Sequence, residues 1–159
     1  MISIQSIVFV LLISSILIDA QTFSNCGSGN HIKLNSLTIS PYPVRVPGPA
    51  TFTLGVGVSE DIKHPLQTKF DLKATALGIT LPIKCENGVG SCTYADWCTA
   101  CSTCTCPVFS GDQQMVISLN FTSGIPIGST AKVRAQIDFQ SATGQKGCVL
   151  MPSIDVRKK

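Results

Sequence analysis

The residues most able to carry chemistry are eight cysteines, six of which lie in one stretch, CENGVGSCTYADWCTACSTCTC, from Cys85 to Cys106. The other two, Cys26 and Cys148, stand far from this stretch and from each other. Cysteine thiolates hold iron–sulfur clusters or zinc, and paired cysteines form disulfides. The first question is therefore which of these three chemistries the spacing favours.

The spacing disfavours a metal. From Cys98 to Pro107 the chain reads C-x2-C-x2-C-x-C-P, close to the bacterial iron–sulfur run, which has three residues before its last cysteine. A zinc site needs two separated C-x2-C pairs or histidines at ligand spacing. His31 and His64 are the two histidines, and both are remote from the cluster. The even cysteine count favours disulfides formed in an oxidising compartment.

The N-terminal sequence indicates that the chain enters such an oxidising compartment. Residues 1–20 have the apolar core and small final residue of a secretory signal peptide, with cleavage expected after Ala20. The alternative is a membrane anchor, but the unbroken apolar run 7–13 is short for one. We therefore expect residues 21–159 to form a single domain that is secreted to the extracellular space or to the lysosomal lumen.

Charge and motifs exclude several functions. The formal net charge of +3 is too small to indicate nucleic-acid binding, which calls for clustered basic and aromatic residues. The basic end 157–159 is expected to be solvated, although mild positive charge assists docking on anionic lipids. The sequence has no G-x-S-x-G, H-E-x-x-H, P-loop or nucleotide-binding glycine motif. We expect no catalytic residue, no metal and no cofactor.

Alternation of apolar and polar residues predicts an all-β fold. It indicates strands near 32–41, 51–58, 66–76, 79–83, 113–121, 131–139 and 147–156, with a slip after Leu34. A short turn of helix is expected around 94–98. Evenly spaced strands of this kind are typical of a β-sandwich. The sequon Asn120-Phe121-Thr122 puts a candidate glycosylation site, Asn120, on an outward face.

The inward faces of these strands are rich in large apolar residues. Taken alone, the pattern favours the ordinary interpretation, in which these residues fill a sandwich core. The set considered as a possible cavity lining is Phe52, Leu54, Val56, Phe70, Leu72, Ile79, Leu81, Met115, Ile117, Leu119, Phe121, Val133, Ile137 and Phe139.

An ordered set of motifs resembles the ML lipid-recognition family. The set runs through Asn25-Cys26, S-L-T-I-x-P-x-P from Ser36 to Pro43, V-P-G at Val46, I-K-C-x6-C-T-x4-C from Ile83, Cys106-Pro107 and G-x-K-G-C ending at Cys148. The resemblance extends from Asn25 to about Val156. It implies an immunoglobulin-like β-sandwich opened into a cup for acyl chains, and it favours a lipid cavity over a filled core.

The resemblance also implies a function and a set of disulfides. The pairs would be Cys26–Cys148, Cys85–Cys92, Cys98–Cys106 and Cys101–Cys104. The protein would extract a glycolipid through transient membrane contact and present it to a soluble glycosidase. Alternatives are a sterol or phospholipid carrier, a lipid-sensing co-receptor of innate immunity, and a structural sandwich without a ligand. The seven residues between Cys98 and Cys106 replace a long apolar loop of the glycolipid activators, which keeps the carriers open.

Two features are candidates for membrane contact. The segment 124–128 is an apolar tip between strands, and Ile125 and Ile127 would touch the membrane unless the loop folds over the core. Trp97, the one tryptophan, either faces the mouth of the cup or packs on a disulfide.

Overall fold

The computed structural model describes residues 21–101, 106–122 and 129–159. The signal peptide, Cys104, Ile125 and Ile127 therefore lie outside the described residues. The described part contains ten strands and one short helix. These elements are β1 (Ser24–Asn25), β2 (Ile32–Ser40), β3 (Val44–Val46), β4 (Gly48–Val58), β5 (Leu66–Ala76), β6 (Ile79–Pro82), β7 (Thr93–Tyr94), α1 (Trp97–Ala100), β8 (Gly111–Phe121), β9 (Thr130–Ser141) and β10 (Lys146–Lys158).

The strands form two layers joined at one point. Their order is β6-β5-β9-β10-β2-β4-β8, with β1 and β3 added to β10 and β7 added to β5. The β10–β2 connection consists of a single parallel pair, Gly147 with Ile32. Buried residues of β2 and β4 share one hydrophobic core with those of β5, β9 and β10. The predicted β-sandwich is confirmed.

Period-two burial explains the long strands. In β9, Ala131, Val133, Ala135 and Ile137 are buried while the residues between them are not. The slip expected after Leu34 is an irregularity of the β2–β4 register between Leu34 and Ser36. This extra residue returns the next apolar side chains to the core face.

Three short strands were not predicted, because two or three residues are too few to show a period. One of them, β3, ends at Val46, the first residue of the V-P-G motif. Only Pro47 separates β3 from β4, since Val46 pairs with Lys158 and Gly48 pairs with Phe121.

Register places several strand termini at one end of the sandwich, which we call the upper end. Thr75 pairs with Lys132, Thr130 with Arg157, and Lys158 with Val46. The β5–β6 turn, the start of β4 and the end of β8 therefore lie there too. The opposite, lower end holds the start of β5, the β9–β10 turn and the start of β2.

Disulfides tie this fold together. The bonds Cys26–Cys148, Cys85–Cys92 and Cys98–Cys106 are present, as the resemblance implies, and Cys101 is disulfide-bonded as well. The first bond links residues 122 positions apart and joins the N-terminal segment to β10. No helix in the described residues is long and apolar enough to span a membrane.

Candidate functional site

A cavity of about 490 Å³, which we call the upper cavity, lies between the two layers. Its walls are supplied by β3, β4, β5, β8, β9 and β10 and by the segment 83–101. The expected lining residues that face it are Phe52, Leu54, Phe70, Leu72, Ile117, Leu119, Phe121, Val133 and Ile137. Because nearly all of its side chains are apolar, the cavity suits a hydrocarbon group.

A second, smaller cavity of about 30 Å³ lies toward the lower end. Val56, Met115 and Phe139, which the sequence placed in the same lining as the others, face this one instead. The residues common to both cavities form the partition between them: Leu54, Phe70, Trp97, Ile117 and Ile137. The two cavities therefore adjoin each other across these five side chains.

Ile79 and Leu81 were wrongly assigned to the lining. They are 63% and 44% exposed, and all four residues of β6 are exposed. Among the described residues, the strand pairs with the end of β5 alone and lies at the outer edge of the sheet order, which leaves both of its faces exposed. The chain returns to the core at Ile83, whose N–H donates to the carbonyl of Leu72 at 2.9 Å.

Several lining residues were missed by the sequence reasoning. Val44 and Val46 belong to β3, which was too short to recognise. Met151, Ile154 and Val156 lie in β10, where the register shifts between Met151 and Ile154. The shift breaks the alternation, so the inward face cannot be read through it. The β-branched residues Ile154 and Val156 were the sequence feature that could have indicated this part of the lining.

The wall beside β5 is built by the disulfide-linked loop. The N–H of Phe70 donates to the carbonyl of Cys92 at 2.8 Å, and that of Leu72 donates to Oγ of Ser91 at 3.0 Å. These bonds continue the pairing of β5 after β6 ends. Asn87, Gly88 and Ala100 line the cavity and are exposed. The cavity therefore meets solvent between this loop and the end of α1.

An aromatic cluster closes the cavity toward the lower end. The ring centroids of Phe70, Tyr94 and Trp97 lie 5.3 to 5.9 Å apart, with edge or tilted geometry. Such contacts are favourable beyond simple burial. Trp97 is only 7% exposed, so its assignment to a membrane-contact surface was wrong. It packs inward because its position at the start of α1 directs the indole against β5.

Asp96 fixes that position. Its Oδ1 accepts hydrogen bonds from the N–H groups of Leu66 and Cys98, both at 3.1 Å, and so caps α1. Its Oδ2 lies 3.3 Å from Nδ1 of His64. The bond from Leu66 is the main cause that lowers the pKa of Asp96, with the Cys98 and His64 contacts adding to it and burial opposing it.

His64, Asp96 and Cys98 also bring three possible metal-ligand atoms within 4.8 Å of one another. The sulfur of Cys98, however, is bonded to that of Cys106. A disulfide sulfur is not the thiolate that zinc requires. This cluster is accounted for by the cap and the disulfide.

The upper end carries an exposed apolar hairpin. Leu77 and Gly78 form the two-residue turn between β5 and β6, with φ values of 52° and 79°. The side chain of Leu77 is 96% exposed. Asn120 is also exposed near this end, on the outer face of β8, so the sequon remains a predicted glycosylation site.

Comparisons with known proteins give a consistent result. The family model described as the ML domain matches residues 20–153. The ganglioside GM2 activator of Macaca fascicularis is 31% identical over 78 residues, covering 48% of this chain and 41% of that protein. The Mus musculus ganglioside GM2 activator is 30% identical over 78 residues, covering 48% and 40%. These matches thus span less than half the length of the curated relatives.

A solved structure shares the fold. The Niemann-Pick type C2 protein from Japanese carpenter ant aligns with a TM-score of 0.55 at 15% identity, over 87% of this chain and 99% of that one. At this identity the similarity concerns the fold alone.

Proposed function

The chain belongs to the ML domain family, and from that premise we propose that it binds one lipid with its hydrocarbon part in the upper cavity. The observation that carries this proposal is the volume and chemistry of the cavity. At about 490 Å³ it falls within the range of ligand sites, roughly 300–1,000 Å³. An engineered apolar cavity of about 150 Å³ already binds benzene.

The binding energy follows from burial. Each methylene moved from water into an apolar site contributes about 0.8 kcal/mol. About ten methylenes buried among side chains such as Phe52, Leu119 and Phe121 would contribute about 8 kcal/mol, the free energy of micromolar binding, and further buried methylenes offset the ordering costs. Because none of the described Asp, Glu, His, Lys or Arg residues lines the cavity, we assign specificity for the head group to the exposed rim around Asn87 and Gly88.

The β5–β6 hairpin is the proposed site of transient membrane contact. Leu77 sits where a leucine is unfavourable on two counts, since it is almost fully exposed and has a left-handed backbone that suits Asn or Gly. Ile79 and Leu81 extend the apolar surface along β6. Membrane contact explains why this hairpin retains apolar residues. Ile125 and Ile127 are proposed as a second contact.

The finer function we propose is extraction of a glycolipid from a membrane and its presentation to a soluble glycosidase. Similarity to the ganglioside GM2 activators supports it. In this role the protein has no catalytic activity of its own. It is secreted or lysosomal after removal of residues 1–20, and it carries a glycan on Asn120. The short segment between Cys98 and Cys106 favours one alternative, a sterol or phospholipid carrier.

Native mass spectrometry of the protein secreted by a eukaryotic host, followed by lipid extraction, tests the proposal. We expect one glycolipid per protein and stimulation of a soluble glycosidase on membrane-bound substrate. Co-purified sterol or phospholipid without stimulation would identify a carrier. A stable complex with a membrane receptor would identify a lipid-sensing co-receptor instead. A protein that arrives empty and takes up no lipid from vesicles would be a plain structural sandwich.

A further inference from the structure

Five basic residues converge at the upper end of the sandwich. We call them the upper basic cluster: Arg45, Lys132, Arg157, Lys158 and Lys159. All five are exposed. They come from three separate strands and the residue after β10, and only the fold brings them together. The sequence reasoning treated 157–159 as a solvated tail and had no reason to connect it with Arg45.

The strand register sets their spacing. Arg157 is the parallel partner of Arg45 and the antiparallel partner of Thr130. Directly opposed residues in a sheet lie on the same face within about 5 Å. The two arginines are therefore neighbours on the outer face of the sheet.

Lys159 joins the same group. Its N–H donates to the carbonyl of Val46 at 2.9 Å. A Cβ atom added to Gly48 would lie 2.9 Å from Nζ of Lys159 and 3.2 Å from the carbonyl oxygen of Arg45. The ammonium group thus lies beside the backbone that carries Arg45.

The cluster is poorly neutralised. Within residues 21–101, 106–122 and 129–159, the one carboxylate at ion-pair distance from a member is Asp155, 3.2 Å from Nζ of Lys132. Like charges placed side by side on a sheet destabilise it. An arrangement of this kind is favourable when an anionic partner covers it.

We propose that the upper basic cluster is a docking surface for anionic membrane lipids, which directs the protein to negatively charged membranes. The inference deepens the proposed function, because it names the membrane from which lipid is taken. Arg45 and Arg157 lie next to the cavity wall, since their neighbours in the chain, Val44, Val46 and Val156, line the cavity. Docking by the cluster therefore holds the upper end of the sandwich, which contains the larger cavity, against the lipid surface.

The neighbouring hairpin favours a membrane over an acidic protein as the partner. Leu77 follows the end of β5, where Thr75 pairs with Lys132. Basic residues beside exposed apolar ones match an anionic interface, where charge attracts and apolar side chains insert. An acidic protein surface would form ion pairs with the basic residues but would leave the side chain of Leu77 exposed to water.

Vesicle co-sedimentation of the secreted protein tests the proposal. The vesicles are pure phosphatidylcholine, or phosphatidylcholine with phosphatidylserine. We expect binding to require phosphatidylserine and to fall with added salt. Each neutralised residue should cost roughly fivefold in binding, equivalent to about 1 kcal/mol, so R45Q/R157Q should lose about 25-fold. The control K33Q/K63Q removes equal charge from exposed lysines at the lower end and should bind as wild type.

The outcomes separate the two proposals. Equal binding to both vesicles, or equal losses in both double variants, would overturn the docking surface whatever the cavity holds. Lipid loading is measured independently by native mass spectrometry after long incubation with phosphatidylcholine vesicles. If R45Q/R157Q loads lipid normally there but binds anionic vesicles weakly, both proposals stand. If wild type binds anionic vesicles but never loads lipid, the docking surface stands and the proposed function fails.

Discussion

Asp96 and Leu66 join the helix of the cavity wall to the strand beside it, through a 3.1 Å hydrogen bond from the N–H of Leu66 to Oδ1 of Asp96. The next residue after Asp96 is Trp97, which lines both cavities. This carboxylate, together with the ring contacts of Trp97 and the disulfide at Cys98, therefore sets the position of the indole and the lower limit of the upper cavity.

Replacing Asp96 by Ala should destabilise the protein by about 1–2 kcal/mol, because a cap and a link between two elements are both lost. Urea unfolding followed by tryptophan fluorescence measures the effect, since Trp97 is the only tryptophan. Asp112→Ala is the matched control, because that exposed carboxylate accepts a single side-chain hydrogen bond within the described part of the chain, from Asn35. Equal losses in the two variants would contradict the structural role of Asp96.

The lowered pKa of Asp96 predicts acid sensitivity. Its folded-state pKa lies below the ordinary value of 3.8, so its stabilising contribution is complete above that value. The contribution is lost as the pH falls through the lower, folded-state pKa. Unfolding free energies measured between about pH 2 and pH 5 should therefore decline less steeply in Asp96→Asn than in wild type. Parallel curves would refute the assignment.

The disulfides should differ in the stability they confer. In the chain-entropy model, the bond Cys26–Cys148, spanning 122 positions, restricts the unfolded chain by about 5 kcal/mol. The bond Cys85–Cys92 spans 7 positions, and the same model gives about 2.5 kcal/mol. Urea unfolding of C26A/C148A and C85A/C92A compares them directly. A larger loss in the second variant would show that local geometry, rather than loop closure, dominates.

Filling the upper cavity should remove lipid binding without unfolding the protein. Ala135 is 5% exposed and lines the cavity, so Ala135→Phe places a ring in the space proposed for the hydrocarbon. Displacing only two methylenes would weaken binding roughly tenfold. Ala142→Phe makes the same change at an exposed turn and should bind normally. Undiminished uptake of a fluorescent lipid by a folded Ala135→Phe variant would exclude this cavity.

Leu77→Asn should separate membrane contact from stability. Asn suits the left-handed backbone at this turn, so the variant should be as stable as wild type or more stable by about 1 kcal/mol. Its rate of lipid transfer between vesicles should fall severalfold, because an exposed apolar anchor is lost. Phe109, 52% exposed and near the lower end, offers the control Phe109→Asn, which should transfer lipid at the normal rate. A slower control with a normal Leu77→Asn would reverse the proposed orientation.

The six long strands, β2, β4, β5, β8, β9 and β10, could be predicted because each is long enough to show its period. The error at Ile79 and Leu81 has a physical origin. Alternation reports that a strand has two different faces, but only the position of the strand in the sheet decides whether a layer covers the apolar face. The position of a strand in the sheet depends on pairing between strands that are remote in sequence, and a single sequence does not reveal that pairing.

The site was predictable in part for the same reason. Phe52, Phe70 and Phe121 were found because they lie in long strands. Trp97 was misplaced because the link that holds the start of α1 against β5 is the hydrogen bond between Asp96 and Leu66, which is 30 residues away in sequence. Arg45 and Arg157 were not connected, because the parallel β3–β10 pairing that makes them neighbours involves a strand of three residues.

The most direct test of the lipid cavity uses its methionines. Met151 lines the upper cavity and Met115 the small lower one. The protein is labelled with methyl-¹³C methionine and titrated with a phospholipid that carries a nitroxide on its acyl chain. We predict strong broadening of the Met151 methyl signal and much weaker broadening at Met115. Binding of the spin-labelled lipid with an unaffected Met151 signal would contradict the account, because the acyl chain would then lie outside the upper cavity.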